Sequence, residues 1–194
     1  MKHLVLLFLI GLAVTPVEKT FYEKLSDAAL LLTKDKVRYD GAYRNIPYPN
    51  GDVPKNIGVC TDVVIRAYRK LGIDLQKEVH EDMKANFSKY PKTWGLKSTD
   101  TNIDHRRVPN LQTFFTRKGK SLPVTDKASD YKPGDLVTWM LAGSLPHIGI
   151  VVDKKSAKNS GGYMVVHNIG GGQNLEDCLF DYKVTGHYRY APAY

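Results

Sequence analysis

The sequence predicts an α+β domain, with helices in its N-terminal half packed on a C-terminal antiparallel sheet. Three observations carry this expectation. Apolar residues recur at helical spacing in the segments before Gly119; strand-like runs replace them from Lys132 onward; and no internal repeat, low-complexity stretch or clear linker divides the chain. With 194 residues and 42% hydrophobic content, the chain is long enough for one well-packed domain and short for two.

The first element is a targeting segment. Met1-Lys2-His3 followed by the apolar run Leu4 to Val14 has the form of a secretory signal over residues 1–15, leaving 16–194 as the domain. The run is too short for a comfortable transmembrane span. Small residues are few near Ala13, and Thr15 and Pro16 intervene, so the cleavage point stays open and an uncleaved anchor is the alternative. The expectation is an exported protein, periplasmic or extracellular, with no transmembrane span in its mature form.

Residues 17–33, with Phe21, Leu25, Ala28, Ala29, Leu30, Leu31 and Leu32, read as the first helix. A loop rich in Tyr, Pro, Asn and Gly follows from Val37 to Gly58. The run from Cys60 then places Val63, Val64, Ala67, Tyr68 and Leu71 at helical spacing, and Gly72 suits its stop. Residues 76–90 carry Val79, Met83 and Phe87 four apart and end before Pro91, and a further helix starts at Pro109 and stops before Gly119. After the Pro133-Gly134 turn, strands are expected at Asp135–Met140, His147–Asp153, Gly162–Asn168 and Val184–Tyr190, with residues 154–161 as a hairpin loop.

Cys60, His147 and His167 are the residues that suggest chemistry. A thiol is a useful nucleophile only as thiolate, which both a helix N-terminus and a nearby imidazole favour. If the two histidine strands pair antiparallel with His147 opposite His167, both rings share one face; a slip of one residue substitutes Asn168. Two blander readings stand beside this one. Cys60 and Cys178 could form a disulfide in an exported protein, which would exclude nucleophilic chemistry, or Cys178 is a small buried residue. His105, flanked by Asp104, Arg106 and Arg107, offers guanidinium forks to an acidic substrate group, although a surface ion-pair cluster is the stronger expectation.

Other signals are weak. Gly170-Gly171-Gly172 lacks the P-loop lysine and the dinucleotide fingerprint, and residues 173–177 do not form a calcium loop. No cysteine or histidine spacing suggests a metal, so no metal and no cofactor are expected. The formal charge of +8 favours anionic surfaces such as cell-wall polymers, lipid headgroups or nucleic acid, with solubility alone as the plainer reading; the basic residues are scattered and no nucleic-acid motif accompanies them, so nucleic acid is not an expected partner. Oligomeric state is not legible.

Taken in order, these features resemble the papain-like, NlpC-type cell-wall cysteine peptidases: Cys60 at a helix start, Pro133-Gly134-Asp135-Leu136-Val137 before a strand, Pro146-His147-Ile148-Gly149-Ile150-Val151 on the next, and His167 on the one after. The chain is similar, more closely, to uncharacterised exported bacterial proteins of the YijF type, through Gly58-Val59-Cys60-Thr61-Asp62 and Asn102-Ile103-Asp104-His105-Arg106-Arg107-Val108-Pro109-Asn110, over about Ala28 to Tyr190. The resemblance implies a papain-like fold with Cys60 as nucleophile, His147 as general base and His167 orienting the imidazole. Amides at the start of the Cys60 helix would then stabilise the oxyanion, joined by Tyr39 or Tyr43. It further implies hydrolysis of an amide bond in peptidoglycan stem peptides or a related cell-envelope substrate, with acyl transfer or non-catalytic binding on the same scaffold as alternatives. Two departures stand out: Val59-Cys60-Thr61-Asp62 replaces the usual Asp-Cys-Ser-Gly, and an added region, about Asp74 to Val124, lengthens the stretch to His147.

Overall fold

A computed structural model describes residues 18–192; the signal reading falls on residues outside these. Helix α1 spans Phe21–Leu32, α2 Cys60–Lys70, α3 Leu75–Ala85 and α4 Val108–Lys118. Thr20 and Glu23 form a reciprocal capping box that starts α1. The helix expected over 76–90 stops earlier, at Ala85. The Asn86 side chain donates to the Asp82 carbonyl at 3.0 Å, competing with the helical ladder, and only a 3-10 turn at Phe87–Lys89 follows.

Strands β1 (Arg38–Tyr39) and β2 (Ile57–Gly58) form a small parallel pair just before α2. Strands β3 (Lys120–Ser121), β4 (Leu136–Leu141), β5 (Leu145–Lys155), β6 (Tyr163–His167), β7 (Asn174–Glu176) and β8 (Lys183–Arg189) make one sheet, ordered β3-β8-β4-β5-β6-β7 and antiparallel throughout. The α+β arrangement of helices on a C-terminal antiparallel sheet is therefore what the chain adopts. Among the described residues no helix is long and apolar enough to cross a membrane.

Strand alternation gives the sheet two buried faces. Leu136, Ile148, Ile150, Val152 and Val166 point toward the helices, meeting Leu25 of α1, Val63 and Val64 of α2, and Phe115 of α4. Val137, Trp139, Val151 and Val165 point the other way, under Ala128, Tyr131, Cys178 and Leu179 from the connecting loops. Trp139 closes this second core by donating its indole N–H to the Leu179 carbonyl at 2.8 Å.

Candidate active site

The turn entering α2 has no conventional cap. Val59 is the N-cap residue and has no side-chain acceptor. Asp62, three residues on, substitutes by accepting the Val59 N–H at 2.7 Å. Its two carboxylate oxygens also take the Arg106 guanidinium, Nε and Nη2 each at 2.9 Å, with both side chains buried. Thr61 Oγ1 donates to the Arg106 carbonyl, Arg66 Nη2 to the Ile57 carbonyl, and Asn168 Nδ2 to the Gly58 carbonyl. The backbone on both sides of Cys60 is thus held by side chains from α2, β6's end and the added region.

This arrangement corrects the expectation of a surface ion-pair cluster. Arg106 is buried and committed to Asp62, so its fork is not free for a substrate carboxylate. His105 is also buried, and burial, followed by the charges of Arg106 and Arg69, pushes its pKa down to about 3. Arg107 lies over the Trp94 ring at 4.2 Å.

Cys60 sits on the first turn of α2 and is 6% exposed. Its sulfur receives the Ile148 N–H and amides of its own helix start, yet burial outweighs them and pushes the thiol up to about 12. The expected thiolate is therefore not the resting form. The magnitudes explain why: a helix N-terminus is worth about 0.3–2 kcal/mol, whereas full burial disfavours the charged form by about 4–7 kcal/mol.

His147 lies on β5 and His167 on β6. His147 Nε2 and His167 Nδ1 are 2.7 Å apart, with ring centroids at 5.0 Å, and Trp139 packs against both rings. The ladder pairs Gly149, not His147, with His167, so the two histidines are diagonal neighbours rather than directly opposite. Residues two apart share a face, which is why the rings still meet. Asn168 points to the other side and binds Gly58, so it is His167, not Asn168, that bonds to His147. Burial, and then the neighbouring His167, hold His147 down at about 3. His167 is also lowered by burial, which outweighs the opposing effect of Glu176, 3.2 Å from its Nε2.

Cys60 and His147 are close in the fold without being hydrogen-bonded to each other. Ile148, the residue after His147, packs in the same core as Cys60 and directs its amide at the thiol. Cys178 is a free thiol in the opposite core, so the two cysteines are not paired in a disulfide. Of the two tyrosines, Tyr39 stands in register with Gly58, near Cys60. Burial, with the nearby Asp62 carboxylate, raises its pKa, keeping its hydroxyl a proton donor. Tyr43 is tied elsewhere: it donates to Asp100 at 3.0 Å and accepts from Asn102 at 2.9 Å.

Three residues and one bond at this site escaped the sequence reading: Asp62, Gly149, Glu176 and the bond from Asn168 to Gly58. Gly149 is needed because a Cβ there would lie 2.7 Å from Val165 Cγ1 and 3.0 Å from His167 Cβ. For Asp62 a signal existed, since the two motifs that carried the closer resemblance contain Asp62 and Arg106, the residues that pair.

An α+β domain with a buried cysteine at a helix start beside a hydrogen-bonded imidazole pair is the class these observations define. Residues 26–190 match the family described as "Domain of unknown function (DUF1287)", and the chain belongs to it. It is 51% identical over 166 residues to "Uncharacterized protein YijF" of Escherichia coli (strain K12), covering 86% of this chain and 80% of that protein. A solved structure, "Structure of NlpC2 from Trichomonas vaginalis", aligns at a TM-score of 0.45 and 17% identity over 92% of this chain and 48% of that one, so the chain spans about half of its length.

Proposed function

We propose that the protein is an exported papain-like cysteine hydrolase that cleaves an amide bond in peptidoglycan stem peptides or a related cell-envelope substrate. The observation that carries this reading is the 2.7 Å His147–His167 bond beside the Cys60 helix start. With Nε2–H donated to His167, His147 keeps a lone pair on Nδ1 for the Cys60 proton. Thiol and imidazole are both neutral at rest, so proton transfer accompanies attack rather than preceding it. Sγ bonds to the scissile carbonyl carbon as Nδ1 takes the thiol proton. The oxyanion receives the Cys60 amide and the Tyr39 hydroxyl. His147 then protonates the departing amine, leaving a thioester on Cys60 that water hydrolyses. The excess of basic residues suits an anionic envelope polymer.

The test is digestion of purified peptidoglycan with product analysis by mass spectrometry. Cys60→Ala, folded as judged by circular dichroism, is expected to abolish new amine termini, and retained cleavage would defeat the mechanism. One observation favours a second reading. A neutral thiol at 6% exposure, not bonded to His147, also suits a non-catalytic envelope-binding domain. That reading is favoured if peptidoglycan sediments the wild type and Cys60→Ala equally while neither releases product.

A further inference from the structure

The proposed mechanism uses His167 Nδ1 and leaves the other side of that ring unexplained. His167 Nε2 lies 3.2 Å from Glu176 Oε2 and 3.5 Å from Cys178 Sγ, and the three donor atoms all fall within 4.8 Å of one another. A single N–H faces two acceptors there. The residues come from β6, from the end of β7 and from the turn after it, and β6–β7 pairing in which Val165 opposes Glu176 is what sets Glu176 on the face of His167.

The geometry points to a binding site for a divalent cation of the zinc type, held by His167 Nε2, the Glu176 carboxylate and the Cys178 thiolate, with a fourth position left for water. Tetrahedral coordination with bonds of about 2.3 Å to sulfur and about 2.0–2.1 Å to nitrogen and oxygen requires sulfur–nitrogen and nitrogen–oxygen separations of about 3.5 and 3.3 Å. The protein holds 3.5 and 3.2 Å. One thiolate, one imidazole and one carboxylate form a donor set for zinc rather than for magnesium or calcium, which prefer all-oxygen ligands. The two anionic ligands balance the ion's charge, as a buried site requires. His167 and Cys178 are buried, and Glu176, with its side chain 39% exposed, provides the way in from solvent. His147 supplies the hydrogen-bond partner that metal-bound histidines usually have on their second nitrogen. The thiol proton leaves to solvent as the metal–sulfur bond forms.

Metal binding has a consequence for the imidazole pair, and this part rests on the function proposed above. With Nε2 on the ion, the neutral His167 ring carries its proton on Nδ1 and donates to His147 Nε2. His147 must then carry its own proton on Nδ1, the nitrogen that has to be free to accept from Cys60. Metal loading therefore switches the base off by exchanging tautomers, without moving a heavy atom.

Titration of the reduced protein, residues 16–194, with Co2+ tests the site directly. A sulfur-to-cobalt charge-transfer band saturating at one equivalent, and reversed by Zn2+, is expected. The band should disappear in Cys178→Ala, persist in Cys60→Ala, and require about tenfold or more cobalt in Glu176→Gln. Glu176 is partly exposed, so that variant remains informative if Cys178→Ala fails to fold. A band absent from the wild type, or unchanged in Glu176→Gln, overturns the site. For the switch, Zn2+ should exchange the two ring 15N shifts of His147 in wild type, and in Glu176→Gln only at the higher metal concentration that variant needs; a bound ion with unchanged shifts overturns it. Neither readout needs turnover, so failure of the hydrolase reading is separately visible.

Discussion

Gly149→Ala tests whether the imidazole pair depends on the missing side chain between its strands. A Cβ at this position would meet Val165 Cγ1 at 2.7 Å and both His167 Cβ and the Val166 carbonyl at 3.0 Å. Ordinary carbon contacts lie at about 3.5–4.0 Å, so β6 must retreat by about half an ångström to one ångström. The 2.7 Å bond between His147 and His167 would then stretch past about 3.2 Å, the ordinary limit for such a bond. Overpacking of a filled core costs about 1–3 kcal/mol, which for a domain of this size lowers Tm by about 2–12 °C. Calorimetry measures the stability loss and 15N spectra of the histidine rings report the bond. An unchanged Tm together with unchanged ring shifts would show that β5 and β6 tolerate the methyl group, and the reasoning from close approach would be wrong.

Three further outcomes are expected. Alkylation of Cys60 by iodoacetamide, followed by peptide mass spectrometry, should accelerate about tenfold per pH unit through the alkaline range, because burial pushes the thiol up to about 12; a plateau below neutral pH would mean a preformed thiolate. Arg106→Ala leaves Asp62 buried without its bidentate partner and should cost about 3–5 kcal/mol in urea unfolding, whereas a cost under 1 kcal/mol would show that the pair does not hold the helix start. Asp82 has burial working against its charge, but bonds from Arg117 and Tyr90 outweigh it and hold the folded carboxyl below its ordinary range. That stability is present above the unfolded carboxyl's pKa and is lost as pH falls through the lowered folded value. Arg117→Ala should accordingly destabilise more at pH 7 than at pH 2, and equal losses at the two values would remove Asp82 from the account.

What was legible in the sequence follows the reach of each signal. The apolar spacing after Cys60 is local and strong, and α2 lies within a residue of its expected limits. Strand alternation is local too, but the offset between strands depends on where the ladder starts, so it left open whether His167 or Asn168 shares a face with His147; the ladder selects His167, as a diagonal rather than a directly opposite neighbour. Strand β7 is three residues long, too short for alternation to register, and with it Glu176 was missed. The charged run from Asp104 to Arg107 looked solvated because its partner, Asp62, is far away in the chain, and a pairing at that distance leaves no local trace. Burial of Cys60 is equally non-local: the helix-start signal was real, but the desolvation that overrides it comes from the sheet packed on it.

The two faces of the sheet account for the site's resting chemistry. Cys60 belongs to the helix-side core with Ile148, while His147 and His167 pack with Trp139 on the opposite face. Alternation places His147 and Ile148 on opposite faces although they are neighbours in sequence. The β5–β6 ladder begins at Gly149 and His167, and just before it the Ile148 amide is directed at the sulfur. Thiol and imidazole therefore adjoin the same short piece of β5 without sharing a proton. A thiol held neutral in this way is protected from stray oxidation and alkylation, since it is the thiolate that reacts. In the mechanism proposed above, His147 Nδ1 has to come within hydrogen-bond reach of Sγ as the thiol attacks the carbonyl carbon. Under the proposed mechanism, the Arg106–Asp62 pair of the added region fixes the helix start, and it is the substrate rather than the resting protein that would complete the dyad.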